Sequence, residues 1–252
     1  MEFVGRSNPL TSNGMATVAT NLSVGVQELW TVLNVETSGC GFLPDRRPEI
    51  LYERHIFHRL TGARFDDGDL SDPTAGGYGA GGAHQYDRLA AAMKLDRGAA
   101  LQSASWGLGQ VLGENFKVAG FPSVDEMIQA MSDSEDTQLV AVGAFIVGNR
   151  LDRALATHDW ASFARGYNGP AFATNLYDVR LRGEFQKLSA GVLPNLDIRA
   201  AQLFLTFRGF HPGPIDGFVG PRTRAALVAF QQQNNLSPTG LVDDDLLEVL
   251  TL

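Results

Sequence analysis

The stretch from Val26 to Arg59, VQELWTVLNVETSGCGFLPDRRPEILYERHIFHR, constrains the fold more than any other part of the chain. Val26, Leu29, Trp30 and Leu33 stand at i, i+3, i+4 and i+7, the apolar stripe of an amphipathic helix. The next positions on that stripe are Glu36 and Thr37, so a core-facing row ends in a carboxylate. Ser38, Gly39 and Gly41 follow at once, a run that stops a helix and leaves its last turn at the lip of a cleft. A carboxyl half out of water beside Trp30 and Leu33 resists ionisation, and its pKa rises toward the range of a general acid. Position alone leaves open the plainer alternative that Glu36 caps a surface helix.

Around this stretch the pattern is mainly helical. Residues 1–14 are polar, with Pro9 and Gly14, and are expected to be flexible. Thr17 to Val35 reads as one or two helices with a break near Asn21 to Ser23, and EILYERHIF as a short strand, or a strand followed by a helix. In that strand Ile50 and Tyr52 share one face, Leu51 and Glu53 the other. Thr61 to Tyr86, with its run AGGYGAGGAHQY, has little to bury and reads as a long exposed loop, a cleft wall or a substrate lip. Ser123 is placed to cap a helix with Glu126 at the capping-box distance. Thr137 to Asn149 is apolar almost all round, the mark of a central buried helix. Gly, Pro and Asn in SAGVLPNLD end that pattern, so we expect a domain over residues 15–190, a linker at 191–197 and a small domain of three helices over 198–252.

Composition narrows the function. A chain of 252 residues with 44% apolar content buries a good core, while a net charge of −8 and a pI near 5.1 argue against nucleic acid as a partner. Cys40 is the sole cysteine, so no intrachain disulfide forms. The first 23 residues lack the apolar core of a signal peptide and no segment is long and apolar enough for a membrane span, which suits synthesis in a reducing cytoplasm without membrane insertion. His55 and His58, with His84, His158 and His211 scattered, make no H-E-x-x-H, so neither a metal nor another cofactor is expected. Ser103 and Ser105 lack the nucleophile elbow, and the glycine run precedes no G-K-[ST].

Four segments, in order, resemble the N-acetylmuramidase family of lysozyme-like phage endolysins: NVETSGCGFLPDRRPEILYERHIFHRLT, GGYGAGGAHQYDRL, SASWGLGQVLGENF and ARGYNG. The resemblance covers roughly residues 17–188 and implies a mainly α, lysozyme-like α+β fold with a small hairpin or strand element. It implies that Glu36 protonates the glycosidic oxygen, that Glu53 returns across the cleft as the second carboxylate, and that Gln110, Tyr167, Asn168, His55 and Tyr52 contact the glycan. Thr37 stands where Ser is usual. The tail, with GFHPGPIDGFVGPRTRAAL and AFQQQNNLSPTGLVD, resembles the type 1 peptidoglycan-binding domain, a three-helix module. Asp216, Gly217, Phe218 and Arg222 are its candidate wall contacts, although Asp216 and Gly217 equally make a turn that needs positive φ.

Together these imply a monomeric muramidase that cleaves the β-1,4 bond between N-acetylmuramic acid and N-acetylglucosamine in bacterial peptidoglycan. It would be made in the host cytoplasm, reach the wall after release, with or without a holin, and be held there by the tail. Splitting a glycosidic bond calls for a proton on the leaving oxygen and stabilisation of an oxocarbenium-like centre, work divided between two carboxylates. The alternatives are a lytic transglycosylase giving anhydromuramic ends and a non-catalytic wall-binding protein. For Glu53 the competing role is an ion pair with Arg54 or Arg59.

Overall fold

The computed structural model describes residues 2–37, 40–65 and 67–251. Helix α1 (Ser12–Leu22) starts at Thr11, whose side chain accepts from Gly14 N–H, and ends at Ser23 in the left-handed region. That turn feeds α2 (Val26–Thr37), which buries Leu29, Trp30 and Leu33 along the expected stripe. The expected stop signal, Ser38 and Gly39, lies outside the described residues. Thr37 Oγ1 donates to the Leu108 carbonyl at 2.7 Å, tying the end of the helix to the segment SWGLGQ.

The EILYERHIF segment is a strand followed by a helix, β1 (Ile50–Tyr52) and α3 (Arg54–Leu60). After the long loop come α4 (Ala83–Leu95), α5 (Arg97–Gln102), β2 (Ala104–Trp106) and β3 (Val111–Leu112). The three strands form one antiparallel sheet in the order β1, β2, β3. Its register sets Leu51, Ser105 and Leu112 in one row, beside a second row of Ile50, Trp106 and Val111. Because side chains alternate between faces, Ile50, Tyr52, Ala104 and Trp106 enter the core while the row through Ser105 stays half-buried on the opposite face.

The larger body is completed by α6 (Val124–Asp133), α7 (Glu135–Gly148), α8 (Asp152–Ala156), α9 (Trp160–Asn168) and α10 (Tyr177–Ala190). Ser123 caps α6, accepting from Glu126 N–H at 3.2 Å, and its hydroxyl meets the Glu126 carboxylate at 3.1 Å. Helix α7 is central but not buried all round, since Val140 and Val147 remain exposed. Two polar residues on its buried side act as struts. Gln138 accepts from Leu108 N–H at 2.7 Å and donates to the Met131 carbonyl at 2.8 Å, while Glu135 accepts from Gly41 N–H at 2.8 Å and Leu10 N–H at 2.9 Å.

Those bonds correct the expectation of a flexible N-terminus. Residues 2–11 lie against the body: Ser7 and Leu10 are buried, Ser7 Oγ donates to the Arg46 carbonyl at 2.8 Å, and Phe3 packs on Tyr86 and Trp106. Polar composition usually signals exposure, but here the polar groups satisfy, and are satisfied by, the first turn of α7.

The C-terminal helices α11 (Leu196–Phe207), α12 (Pro221–Gln233) and α13 (Asp244–Thr251) form a small domain around Ala201, Leu205, Leu227, Phe230, Leu246 and Leu250. Its first helix also reaches into the larger body. Arg199 is fully buried, with Nη1 at 2.5 Å and Nη2 at 2.6 Å from the two oxygens of the equally buried Glu135. Its guanidinium lies 5.9 Å from the centre of the Trp30 ring. Phe207 meets Phe42 edge-on at 6.4 Å, with the Arg46 guanidinium 5.1 Å over its ring. The short segment between α10 and α11 therefore joins two bodies that already share a buried ion pair.

Candidate active site

A cleft of about 430 Å³ opens on the half-buried face of the sheet, and Leu51, Ser105 and Leu112 line it together. Glu36 enters from the end of α2, Tyr167 and Asn168 from the end of α9, and Tyr177 from the first turn of α10. Glu53 and His55 arrive from the β1–α3 junction and Tyr78 from the glycine-rich loop. The alternation of β1 thus puts Leu51 and Glu53 in the cleft and Ile50 and Tyr52 in the core.

Glu36 accepts a hydrogen bond from Asn168 Nδ2 at 2.9 Å. Burial raises its pKa from the ordinary 4.5 to about 7, with the Asn168 bond and the Arg180 charge each pulling the other way. Arg180 is fixed by donating to the Val35 carbonyl at 2.8 Å. The groups that bond to Glu36 or share its field, Asn168, Tyr167, Tyr177 and Arg180, belong to α9 and α10. The Trp30 ring, expected beside the carboxyl, has the Arg199 guanidinium 5.9 Å from its centre.

Tyr167 donates its hydroxyl proton to the Gly109 carbonyl at 2.8 Å. Gly109 has no room for a Cβ against Val142 and that hydroxyl, so the G-L-G-Q turn needs a glycine there. Gln110 sits at φ 50°, and its amide braces the turn by donating to the Gly107 carbonyl at 2.9 Å and the Glu49 carbonyl at 3.3 Å.

Glu53, in the same cleft, is also largely withdrawn from water, which raises its pKa, while the Tyr78 hydroxyl and the Arg88 charge oppose the shift. Among the described residues no arginine pairs with it. Arg54 donates to the Gly68 carbonyl at 2.5 Å and lies 3.6 Å from Asp72, and Arg59 pairs with Glu114 at 2.8 Å. The nearest charge-capable partner is His55, whose Nδ1 is 3.2 Å from Glu53 Oε2.

Tyr52 does not line the cleft. Its ring is fully buried and its hydroxyl donates to the Leu70 carbonyl at 2.9 Å, which makes it a core residue. Cys40 is no nucleophile either: burial, reinforced by the Glu135 charge, pushes its thiol up to about 12. Among the described residues no three His, Cys, Asp or Glu side chains are grouped to hold a metal ion. Nor is any helix among them long and apolar enough to cross a membrane.

In the small domain Asp216 accepts from Phe218 N–H at 3.0 Å and Gln202 Nε2 at 3.1 Å, and Gly217, at φ 77°, donates to Gln202 Oε1 at 2.9 Å. Those two residues build the turn. Phe218 and Arg222 face a groove of about 380 Å³ with Pro212, Pro214 and Val219, and Phe218 is exposed.

Five further residues line the cleft without having been singled out as contacts: Tyr78, Ser105 and Asn115, which lie inside the matching segments, and Asn175 and Tyr177, which lie outside them. Tyr177 continues the apolar stripe of α10, a pattern that does not separate a cleft ring from a core one. For Ser105 the usable signal is register with Leu51, which needs the strand pairing.

The N-acetylmuramidase family profile matches residues 25–189, and that of a peptidoglycan binding domain matches residues 194–250. Among solved structures, the endolysin of Burkholderia phage AP3 superposes with a TM-score of 0.65 at 41% identity, over 73% of this chain and 72% of that one. Shorter matches join the chain to two curated proteins. The carboxy-terminal processing protease CtpB of Bacillus subtilis is 39% identical over 56 residues, 22% of this chain and 12% of that protein. The localization factor PodJL of Caulobacter vibrioides is 36% identical over 64 residues, 25% and 7% respectively. The chain thus spans only a small part of the length of those curated relatives. With a family profile covering most of the chain and a cleft lined by a half-buried glutamate, the chain belongs to the N-acetylmuramidase family and carries a C-terminal peptidoglycan-binding domain.

Proposed function

We propose that the chain acts as an endolysin that hydrolyses the β-1,4 bond between N-acetylmuramic acid and N-acetylglucosamine, with Glu36 as general acid and Glu53 as the second carboxylate. The observation that carries this reading is a half-buried Glu36 with a pKa of about 7, in a cleft that also holds a second half-buried glutamate. At neutral pH a large share of Glu36 is protonated, so it can give its proton to the leaving oxygen as the glycosidic C–O bond breaks. Glu53 takes a proton from water as that water attacks the anomeric carbon, and exchange with solvent resets both groups. Tyr177, which feels the field of both carboxylates, stands beside the path of the sugar.

The C-terminal domain would keep the enzyme on the wall through the groove at Phe218 and Arg222, raising the local concentration of substrate. Synthesis in the host cytoplasm and release to the wall at lysis follow from the same reading. The test is mass spectrometry of the products from purified peptidoglycan: N-acetylmuramic acid at new reducing ends supports hydrolysis, and anhydromuramic ends would replace it with transglycosylation.

A further inference from the structure

Glu53 is the N-cap of α3, yet its side chain makes no capping bond to the helix. Its backbone is nevertheless fixed, since Glu53 N–H donates to the Ser103 carbonyl at 2.8 Å and its own carbonyl accepts from Ile56 and Phe57. The carboxyl is therefore turned away from the helix end and into the cleft. Two buried polar atoms, Glu53 Oε2 and His55 Nδ1, then lie 3.2 Å apart, and neither has a well-aligned hydrogen bond to any partner, the other included. A buried carboxyl oxygen and a buried ring nitrogen left without partners are costly, and each is the other's available partner.

We propose that His55 is the positioning residue for Glu53: a small turn of the ring lets Nδ1–H donate to Oε2, and together with the Tyr78 hydroxyl this holds the carboxyl toward the water that attacks the sugar. This rests on the reading of Glu53 as the second carboxylate. Tyr78 is itself held in place, because its carbonyl accepts from Gln85 Nε2 at 2.7 Å and Arg88 Nη1 at 2.9 Å. Gln85 in turn accepts from Tyr52 N–H at 3.0 Å, so the glycine-rich loop is pinned to β1 beside Glu53.

The charges around the pair favour this arrangement. Burial, with Arg59 and Arg54, lowers the pKa of His55 against the pull of Glu114, so the ring is neutral at pH 7 and has one proton to donate. Glu53 feels Tyr78, Arg88 and, through the cleft, Tyr177. A donor at Oε2 stabilises the ionised carboxyl, the form that accepts a proton from water.

The experiment compares His55→Ala, His55→Asn, Tyr78→Phe and Glu53→Gln in the full chain, by kcat, KM and the pH dependence of kcat/KM for release of reducing ends, with a thermal melt of each. His55→Ala is expected to lower kcat about 10-fold with KM within about twofold, and to move the acidic limb of kcat/KM to higher pH as Glu53 loses its donor. His55→Asn, which keeps an N–H, is expected to restore part of both, and Tyr78→Phe to move the limb the same way by less. If Glu53→Gln retains full kcat, the second-carboxylate reading fails and takes this proposal with it. If Glu53→Gln is inactive while His55→Ala keeps its kcat and its acidic limb, only the positioning role is overturned. A rise in KM at constant kcat would make His55 a sugar contact and would also overturn it. Should His55→Ala fail to fold, His55→Asn and Tyr78→Phe decide on the same criteria.

Discussion

Glu36 and Glu135 are both drawn away from water, and their surroundings could hardly differ more. Glu135, at the junction between the two bodies, meets two nitrogens of Arg199 and accepts from the N–H groups of Leu10 and Gly41. Among the described residues Glu36, at the cleft, has one side-chain hydrogen bond, from Asn168, and it lines the open cleft. Burial alone therefore does not make an acid functional. A carboxylate surrounded by donors is a structural strut, whereas one that is buried and under-bonded keeps a proton it can give away. The two are linked through the chain, because Glu135 fixes Gly41, five residues beyond Glu36.

The largest effect expected from this contrast is on turnover. Glu36→Gln keeps the shape and removes the transferable proton, so release of reducing ends should fall by about 10²-fold or more while circular dichroism is unchanged. Next comes the junction. Arg199→Met leaves a buried carboxylate without its counter-ion and should destabilise the chain by roughly 3–5 kcal/mol in urea unfolding, with Arg199→Met/Glu135→Gln recovering much of the loss. Truncation before residue 191 removes Arg199 as well, so it should lower the melting temperature of the larger body in addition to weakening wall binding.

A third effect has the opposite sign. The folded pKa of Glu36 lies above its unfolded value, so its contribution to stability is full below about pH 4.5 and is lost as pH rises through about 7. Glu36→Gln should therefore be more stable than the parent at pH 8, by up to about 3 kcal/mol, and indistinguishable from it at pH 4. The smallest effect is at Asn168. Its bond favours the charged carboxyl, so Asn168→Ala should push the alkaline limb of kcat/KM upward by less than about one unit. The limb measured against the parent checks the direction.

Much of the site was legible because local periodicity carries it. The stripe from Val26 to Leu33 points directly at Glu36, and the alternation of Ile50, Leu51, Tyr52 and Glu53 sorts core from cleft. Tyr52 as a sugar contact was at odds with that same alternation, which sends it to the core with Ile50. What could not be read depends on partners distant in sequence. Arg199 looks like a solvated charge on a small helical domain until Glu135 is placed beside it, and the polar N-terminus looks loose until its N–H groups find the start of α7. Ser105 and Tyr78 sit inside matching segments, yet nothing local marks them as cleft residues, since strand register and loop pinning bring them there.

The protonation of Glu36 near neutral pH is most directly measured by carbon-13 NMR titration of side-chain carboxyls in protein labelled at glutamate Cδ. One resonance should titrate near pH 7 and be missing from Glu36→Gln, with the alkaline limb of kcat/KM falling at the same pH. A Glu36 resonance that titrates at about 4.5, or a Glu36→Gln variant that clears walls at the parent rate, would contradict it.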